Sequence, residues 1–560
     1  MGVIQLITRK LSRRLLTCMI GTAIMLAGCT NSSSTPAAVD SGAAQPSNAT
    51  ASTEKTVQEL KIGLPGDAGP LNFYTGSSNY DYLTELVLDK LFAPSPYVDD
   101  PQPWLAESAK QLDPLTWVVK VRSGVKWHDG VPFTAEDVKF TFEYFRDGPS
   151  NRYTHHVSEV PRVEKIELED ANTVRMTCAY PCPTLAKITL ADLPIIPKHI
   201  WEKVENARKF TELPIGTGPY KLVEYKPDQY YKFEANPDFF NGKPLVNTLV
   251  MPIIKDPTSM FNALRSGEID IAARSVPPEL LESFKKAPNM KVMKTSELSL
   301  AEIRINYEKE PFNQPELRQA ISLAVDRKTI TDTVLLGQGK PGLKGYPHPD
   351  SPWTNPNLST PFDLEKAKSI LDKLNYIDRD GDGVRESADG KLLDFKVNVA
   401  STEPTWIRSA ELLKQQFAKA GIKTTVEVLD SGTIGTLSQS KKFDMYISSI
   451  GPHGVADPDQ FIMSHRSGYL WTKGLAYPEM DSITARWMAE ADVEKRKKIS
   501  FELQELFNRQ PTSIAMYYPD QSFAYRSDKY DSWVETLGFG IIHKFSFLPE
   551  KARKLATGAK

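Results

Sequence analysis

The chain has 560 residues, of which 68 are basic and 70 acidic, for a net charge of −2 with histidines neutral. That balance argues against a nucleic-acid partner, whose phosphates require a concentrated basic face. With 40% hydrophobic residues the chain can build two or three packed domains, and none of its apolar runs reaches the roughly 20 residues of a membrane-spanning helix.

Residues 1–14 carry Arg9, Lys10, Arg13 and Arg14 and no acid, and an uncharged run, LLTCMIGTAIMLA, follows at 15–27. That length fits the apolar core of an export signal. The run ends Leu26-Ala27-Gly28-Cys29, which resembles the lipobox of bacterial lipoproteins. The resemblance implies a diacylglyceryl group on the Cys29 thiol and removal of a signal peptide at 1–28. Losing four basic and no acidic residues would move the net charge from −2 to −6. The alternative is an ordinary secretory signal with a chance cysteine. Two acyl chains hold a protein stably at a bilayer, so the expectation is an extracytoplasmic body, lipid-anchored to the cell membrane. Residues 29–57 begin with a Ser, Thr, Ala and Pro-rich run that cannot bury enough apolar surface to order itself, and they read as a flexible tether.

In the body, residues 60–64 (LKIGL) alternate as a half-buried strand does, and 116–121 (TWVVKV) read as a second strand. Thr134-Ala-Glu-Asp137 forms a capping box with Val138, Phe142 and Phe145 at helical spacing behind it. Cys178 and Cys182 are the only cysteines after Cys29. In an oxidising compartment they could close a small disulfide loop; two free thiols and a metal pair are the alternatives, the last short of ligands. Residues 315–330 read as one helix, as do 364–374, 407–420 and 493–507, while 392–399 (LLDFKVNV) read as a strand. The chain is mixed α/β without internal repeats.

Several stretches resemble family 5 of the bacterial extracellular solute-binding proteins, the oligopeptide, dipeptide and nickel receptors of ABC importers. They are 103–108 (PWLAES), 121–138 (VRSGVKWHDGVPFTAEDV), 214–220 (PIGTGPY), 235–244 (ANPDFFNGKP), 263–271 (ALRSGEIDI), the segment 306–326 ending LRQAISLAVD, 363–368 (DLEKAK) and 456–461 (ADPDQF). The resemblance implies an α/β, two-lobed periplasmic-binding-protein fold, type II-like and of cluster C, with an extra domain on lobe one. Carried over, lobe one takes 58–105, 206–302 and 525–555, the extra domain 106–205, and lobe two 303–524. The implied function is non-enzymatic capture of a small solute, an oligopeptide in the first place, by lobe closure. Its partners would be an ABC permease and its ATPase, with the receptor a monomer that uses no cofactor. A metal-chelate receptor of the same family is the alternative. A signalling or adhesive lipoprotein without a permease is the alternative class.

In peptide-binding members an acidic residue four positions before the proline of the Asp-Pro-like motif pairs with the ligand's α-amino group. Here that proline matches Pro458 and the acidic position is Gly454. Nickel-type members place a histidine directly after the proline, where this chain has Asp459. The chain therefore fits neither subtype, and Gly451, Pro452, His453 and Gly454 become the candidate ligand loop. His453 could donate to a ligand carbonyl or hold a metal chelate, or simply face solvent. Trp406 and Arg408 lie where the family often contributes cleft residues, and offer an aromatic face and a forked guanidinium, the alternative being a packing tryptophan at a helix start and a surface arginine; Asn72, Phe73 and Tyr74 are candidates on the opposing lobe.

Asp378, Asp380, Asp382 and Asp389, with Gly383, stand at the spacing of a calcium loop. The strand pattern that follows favours a tight turn over a metal site. Gly337, Gly339 and Gly342 match the bare dinucleotide pattern but lack the strand-to-helix context it needs. The chain has no P-loop, no Gly-x-Ser-x-Gly elbow and no His-Glu-x-x-His.

Overall fold

One continuous strand of 14 residues, Ser513–Arg526, joins two halves of a single sheet. The structure, a computed structural model, describes residues 54–557 other than 76–80, 94–101, 149–152, 155–156, 158–161, 297, 343–346, 451–461, 463–465, 468–477 and 537–539. The first part of the long strand runs antiparallel to Leu300–Ile305, with Ser513 opposite Arg304 and Tyr517 opposite Ala301. Its second part, from Asp520, runs antiparallel to Met290–Ser296. Between them stands Pro519, which offers no amide to a ladder. Two segments of chain thus pass side by side from one half to the other.

In the first half Val57–Gly63 lies between Ile271–Ala272 and Val246–Pro252, followed by Tyr230–Ala235 and Tyr220–Lys226. Leu60 and Ile62 are buried there with Tyr231, Phe233 and Leu249. In the second half the order outward from the long strand is Leu300–Ile305, Met445–Ile450, Asp394–Ala400 and Lys423–Leu429. The last two are parallel, and helix Pro404–Lys419 makes the crossover between them. Phe395, Val397 and Val399 alternate onto the face covered by Leu413 and Phe417 of that helix. The opposite face packs Leu300 and Tyr518 against Trp487 and Leu503, which belong to helices Pro478–Ala489 and Val493–Arg509.

A separate antiparallel sheet, ordered Ala106–Asp113, Thr116–Val121, Thr173–Cys178, Val163–Asp170, packs with helix Ala135–Asp147. Both bonds of the expected capping box between Thr134 and Asp137 form, Thr134 N donating to Asp137 Oδ2 at 2.9 Å, and Thr134 Oγ1 also accepts from Glu136 N at 3.3 Å. Cys178 and Cys182 are joined as a disulfide, and Trp117 Nε1 donates to the Cys182 carbonyl at 3.0 Å.

The single helix expected over 315–330 is two, Pro315–Leu323 and Arg327–Val334. Asp326 breaks it: its carboxylate caps the second helix through Thr329 N at 3.0 Å, and its own amide donates to Gln416 Oε1 at 2.9 Å. A side chain that bonds local amides competes with helix continuation, and apolar spacing alone does not register that competition.

A buried charged cluster ties the C-terminal segment to the rest. Lys90 Nζ lies 2.7 Å from Glu85 and 3.3 Å from Asp192. Lys544 Nζ lies 2.8 Å from Asp89, which also accepts from Trp104 Nε1 and Thr217 Oγ1. His543 Nε2 is 2.7 Å from Glu85. Burial works against the Glu85 charge, yet Lys90, His543 and Lys544 together hold its carboxyl far below the usual range.

Candidate ligand cleft

Where the two halves meet, a cleft of about 720 Å³ opens beside the crossing strands. The first half contributes helix Pro257–Ser266 and the segment 273–281. That helix starts at Asp256, whose carboxylate takes Ser259 N at 2.7 Å, with Pro257 preset for its first turn; it stops at Gly267 with φ 80°, a left-handed conformation that glycine adopts without strain. The second half contributes Ser299, Ser449 and the start of helix Pro404–Lys419, and Tyr517 and Pro519–Ser522 of the long strand form the floor. Ser409 Oγ lies 3.3 Å from the Tyr517 hydroxyl and donates to the Thr405 carbonyl at 2.9 Å, which fixes the helix start against the floor. Burial pushes the Tyr517 phenol up, so it stays neutral.

Charged side chains face each other across the gap with opposite polarity. Arg274 of the first half donates to the Thr402 carbonyl at 2.9 Å and stands 3.6 Å from the Glu403 carboxylate, both in the second half. In return Arg408 of the second half reaches Glu279 of the first at 3.4 Å. Asp520 pairs with Lys294 at 2.7 Å. Burial raises the Glu403 carboxyl, with Arg274 opposing. The cleft therefore carries balanced charge on walls that are apolar at Phe261, Val276 and Trp406, which suits a ligand with both polar ends and apolar parts.

Of the residues singled out from sequence, Trp406 and Arg408 line this cleft. Asn72, Phe73 and Tyr74 do not. Asn72 Nδ2 donates to the carbonyls of Ala207 and Phe210 at 2.7 and 2.9 Å, and Phe73 and Tyr74 are buried against Trp201 and Phe145. These three hold a loop onto a core. Gly451, Pro452, His453 and Gly454 lie outside the described residues, as does Cys29. Carboxylate oxygens of Asp378, Asp380 and Asp382 come within 4.8 Å of one another, but Asp389 is not among them. Asp389 pairs with Lys391 at 3.0 Å, while Asp378 accepts the amides of Gly381 and Gly383 at 2.8 and 3.0 Å, as a tight turn requires.

Arg274, Glu279 and Glu403 carry no mark in the sequence that sets them apart. Each sits in a Pro-rich or polar stretch with a surface-like pattern, and their partners lie more than 120 residues away, as the separation of 129 between Glu279 and Arg408 illustrates.

A family model described as bacterial extracellular solute-binding proteins, family 5 middle, matches residues 100–472. The chain belongs to this family. Among family 5 relatives, the oligopeptide-binding protein AppA of Bacillus subtilis strain 168 is 27% identical over 541 residues, covering 92% of this chain and 95% of AppA. The nickel-binding periplasmic protein of Escherichia coli K12 is 26% identical over 465 residues, covering 79% and 85% of the two chains. The structure of AppA in complex with a nonapeptide matches with a TM-score of 0.76 at 23% identity, covering 89% of this chain and 100% of that one. NikZ from Campylobacter jejuni in complex with Ni(L-His) matches with a TM-score of 0.75 at 25% identity, covering 84% and 94%. The family 5 fold is two-lobed, and its members are extracytoplasmic solute-binding proteins. Among the described residues no helix is long and apolar enough to cross a membrane.

Proposed function

We propose that the cleft captures an oligopeptide by closure of the two lobes and that the protein delivers it, without chemical turnover, to an ABC permease and its ATPase. The observation that carries this reading is the cleft itself. Its volume of about 720 Å³ lies within the roughly 300–1,000 Å³ of small-ligand sites, and its walls come from both halves of a sheet that two adjacent crossings join among the described residues. Such crossings can flex while each half stays rigid, and a ligand touching both walls favours the closed arrangement by the contacts it makes only there.

On this reading lobe one takes 58–105, 206–302 and 525–555, lobe two takes 303–524, and 106–205 form an extra domain on lobe one. Cys29 carries the lipid, so the monomeric body is held at the outer face of the membrane by residues 29–57. A metal chelate is the competing ligand, supported by the similarity to a nickel-binding protein over 79% of this chain; His453 would then be the residue to hold it.

Small-angle scattering of the full chain in mild detergent tests the closure. A pool of tri- to pentapeptides is expected to reduce the radius of gyration of the body, and nickel with histidine to leave it unchanged. The reverse pattern, lost in His453→Ala, would transfer the protein to the metal-chelate branch.

A further inference from the structure

Glu403 directly precedes helix Pro404–Lys419, at the position where a Ser, Thr, Asp or Asn side chain would accept an amide of the first turn. It makes no such cap. It lines the cleft instead, and the cation beside it is Arg274 of the facing half at 3.6 Å, beyond hydrogen-bonding reach. That guanidinium gives its hydrogen bond to the neighbouring Thr402 carbonyl. The Glu403 carboxylate therefore accepts no hydrogen bond from any described residue. The other carboxylates of the cleft are engaged, Asp520 by Lys294 at 2.7 Å and Glu279 by Arg408 at 3.4 Å.

While the cleft is wet, water can satisfy Glu403. Closure on a ligand removes that water, and a carboxylate stripped of donors is costly to bury. The ligand must then bring the missing donors. An ammonium group supplies three N–H groups and a compensating charge, and such charge-assisted bonds are about twice as strong as neutral ones. We propose that Glu403 is the specificity-determining carboxylate of the cleft, accepting the ammonium group of its ligand, either the free amino end of a peptide or a lysine side chain. The inference rests on the reading of the cleft as a peptide site. Arg274, held by Thr402, opposes the upward push of burial on the Glu403 carboxyl without occupying it.

The test offers the full chain, in mild detergent, three pools of tri- to pentapeptides: free amino ends without lysine, N-acetylated without lysine, and N-acetylated with one lysine. Retained peptides are quantified by mass spectrometry for the wild type, Glu403→Gln and Glu403→Asp. The wild type is expected to retain the pool that carries the recognised ammonium, free amino ends or acetylated lysine, about tenfold better than the acetylated, lysine-free pool, the order of one charge-assisted bond. Glu403→Gln should erase that preference and Glu403→Asp should keep part of it. Retention of the acetylated lysine pool by the wild type assigns the ammonium to a side chain; its rejection assigns it to the amino end. Equal loss of free and acetylated peptides in Glu403→Gln would overturn the proposal, because the residue would then act only through Arg274 in holding the lobes together. An unchanged preference in Glu403→Gln would overturn it equally. A wild type that retains no pool would overturn the peptide reading itself, and this inference with it.

Discussion

Replacing Lys544 with methionine keeps most of the volume of a fully buried side chain and removes one of the two ammonium groups in the charged cluster. The cluster sets the carboxylates of Glu85, Asp89 and Asp192 against Lys90 and Lys544, with the His543 imidazole 2.7 Å from Glu85 and its pKa lowered by burial. Lys544 and Asp89 are both closed to solvent, and their pair at 2.8 Å has no water to replace it. Breaking a buried pair from one side costs about 3–5 kcal/mol, because the remaining charge is left uncompensated. The loss should also depend on pH. Without Lys544 the Glu85 carboxyl loses part of the support that offsets its desolvation, so its pKa rises in the folded variant. The folded variant then takes up a proton on acidification that the wild type does not, and the penalty shrinks. Urea unfolding followed by tryptophan fluorescence at pH 8 and pH 5 would measure both effects. A loss below about 1 kcal/mol at pH 8, or one that is the same at both pH values, would refute the idea that this cluster is an interdependent buried network.

The cross-cleft pairs Arg274–Glu403 and Arg408–Glu279 are partly exposed, so each should contribute only about 0.2–1 kcal/mol to closure and be screened by salt. Scattering of the ligand-free chain should therefore show a larger radius of gyration at high salt, and in Arg274→Gln/Glu279→Gln at low salt; identical radii throughout would contradict this. Burial lowers the pKa of His128 and of His348 to about 4, against 6.5 for the free side chain. The unfolded chain thus binds more protons as pH falls below 6.5, and stability should drop by up to about 1.4 kcal/mol per pH unit per histidine down to pH 4; urea midpoints that are flat between pH 6.5 and 4.5 would count against neutral burial. The Cys178–Cys182 bridge closes a short loop and should contribute about 2 kcal/mol by loop-closure entropy. Cys178→Ala/Cys182→Ala with an unaltered urea midpoint would argue that the bridge constrains nothing.

Local chemistry was readable wherever a residue acts on its near neighbours. Thr134 and Asp137 announce a helix start because both bonds of the box close within three residues, and the alternation of Phe395, Val397 and Val399 marks a strand with one covered face. Where one residue had two local options, periodicity misled: Asp326 divides what apolar spacing joins. Trp406 and Arg408 are placed by family resemblance, not by any pattern of their own, and Asn72, which the same resemblance suggests, bonds instead to the carbonyls of Ala207 and Phe210. Arg274 and Glu403 carry no local mark. What makes them part of a site is the approach of two halves of a sheet, and that approach is set by the pairing of residues 290–305 with 513–526.

If the cleft holds a short peptide, that peptide should travel with the protein. Native mass spectrometry of the full chain, purified gently from its own host in mild detergent, would detect it. One equivalent of co-purified peptide is expected, released when the protein unfolds. A metal-chelate mass in its place, or a chain that stays empty when offered peptides, would contradict it.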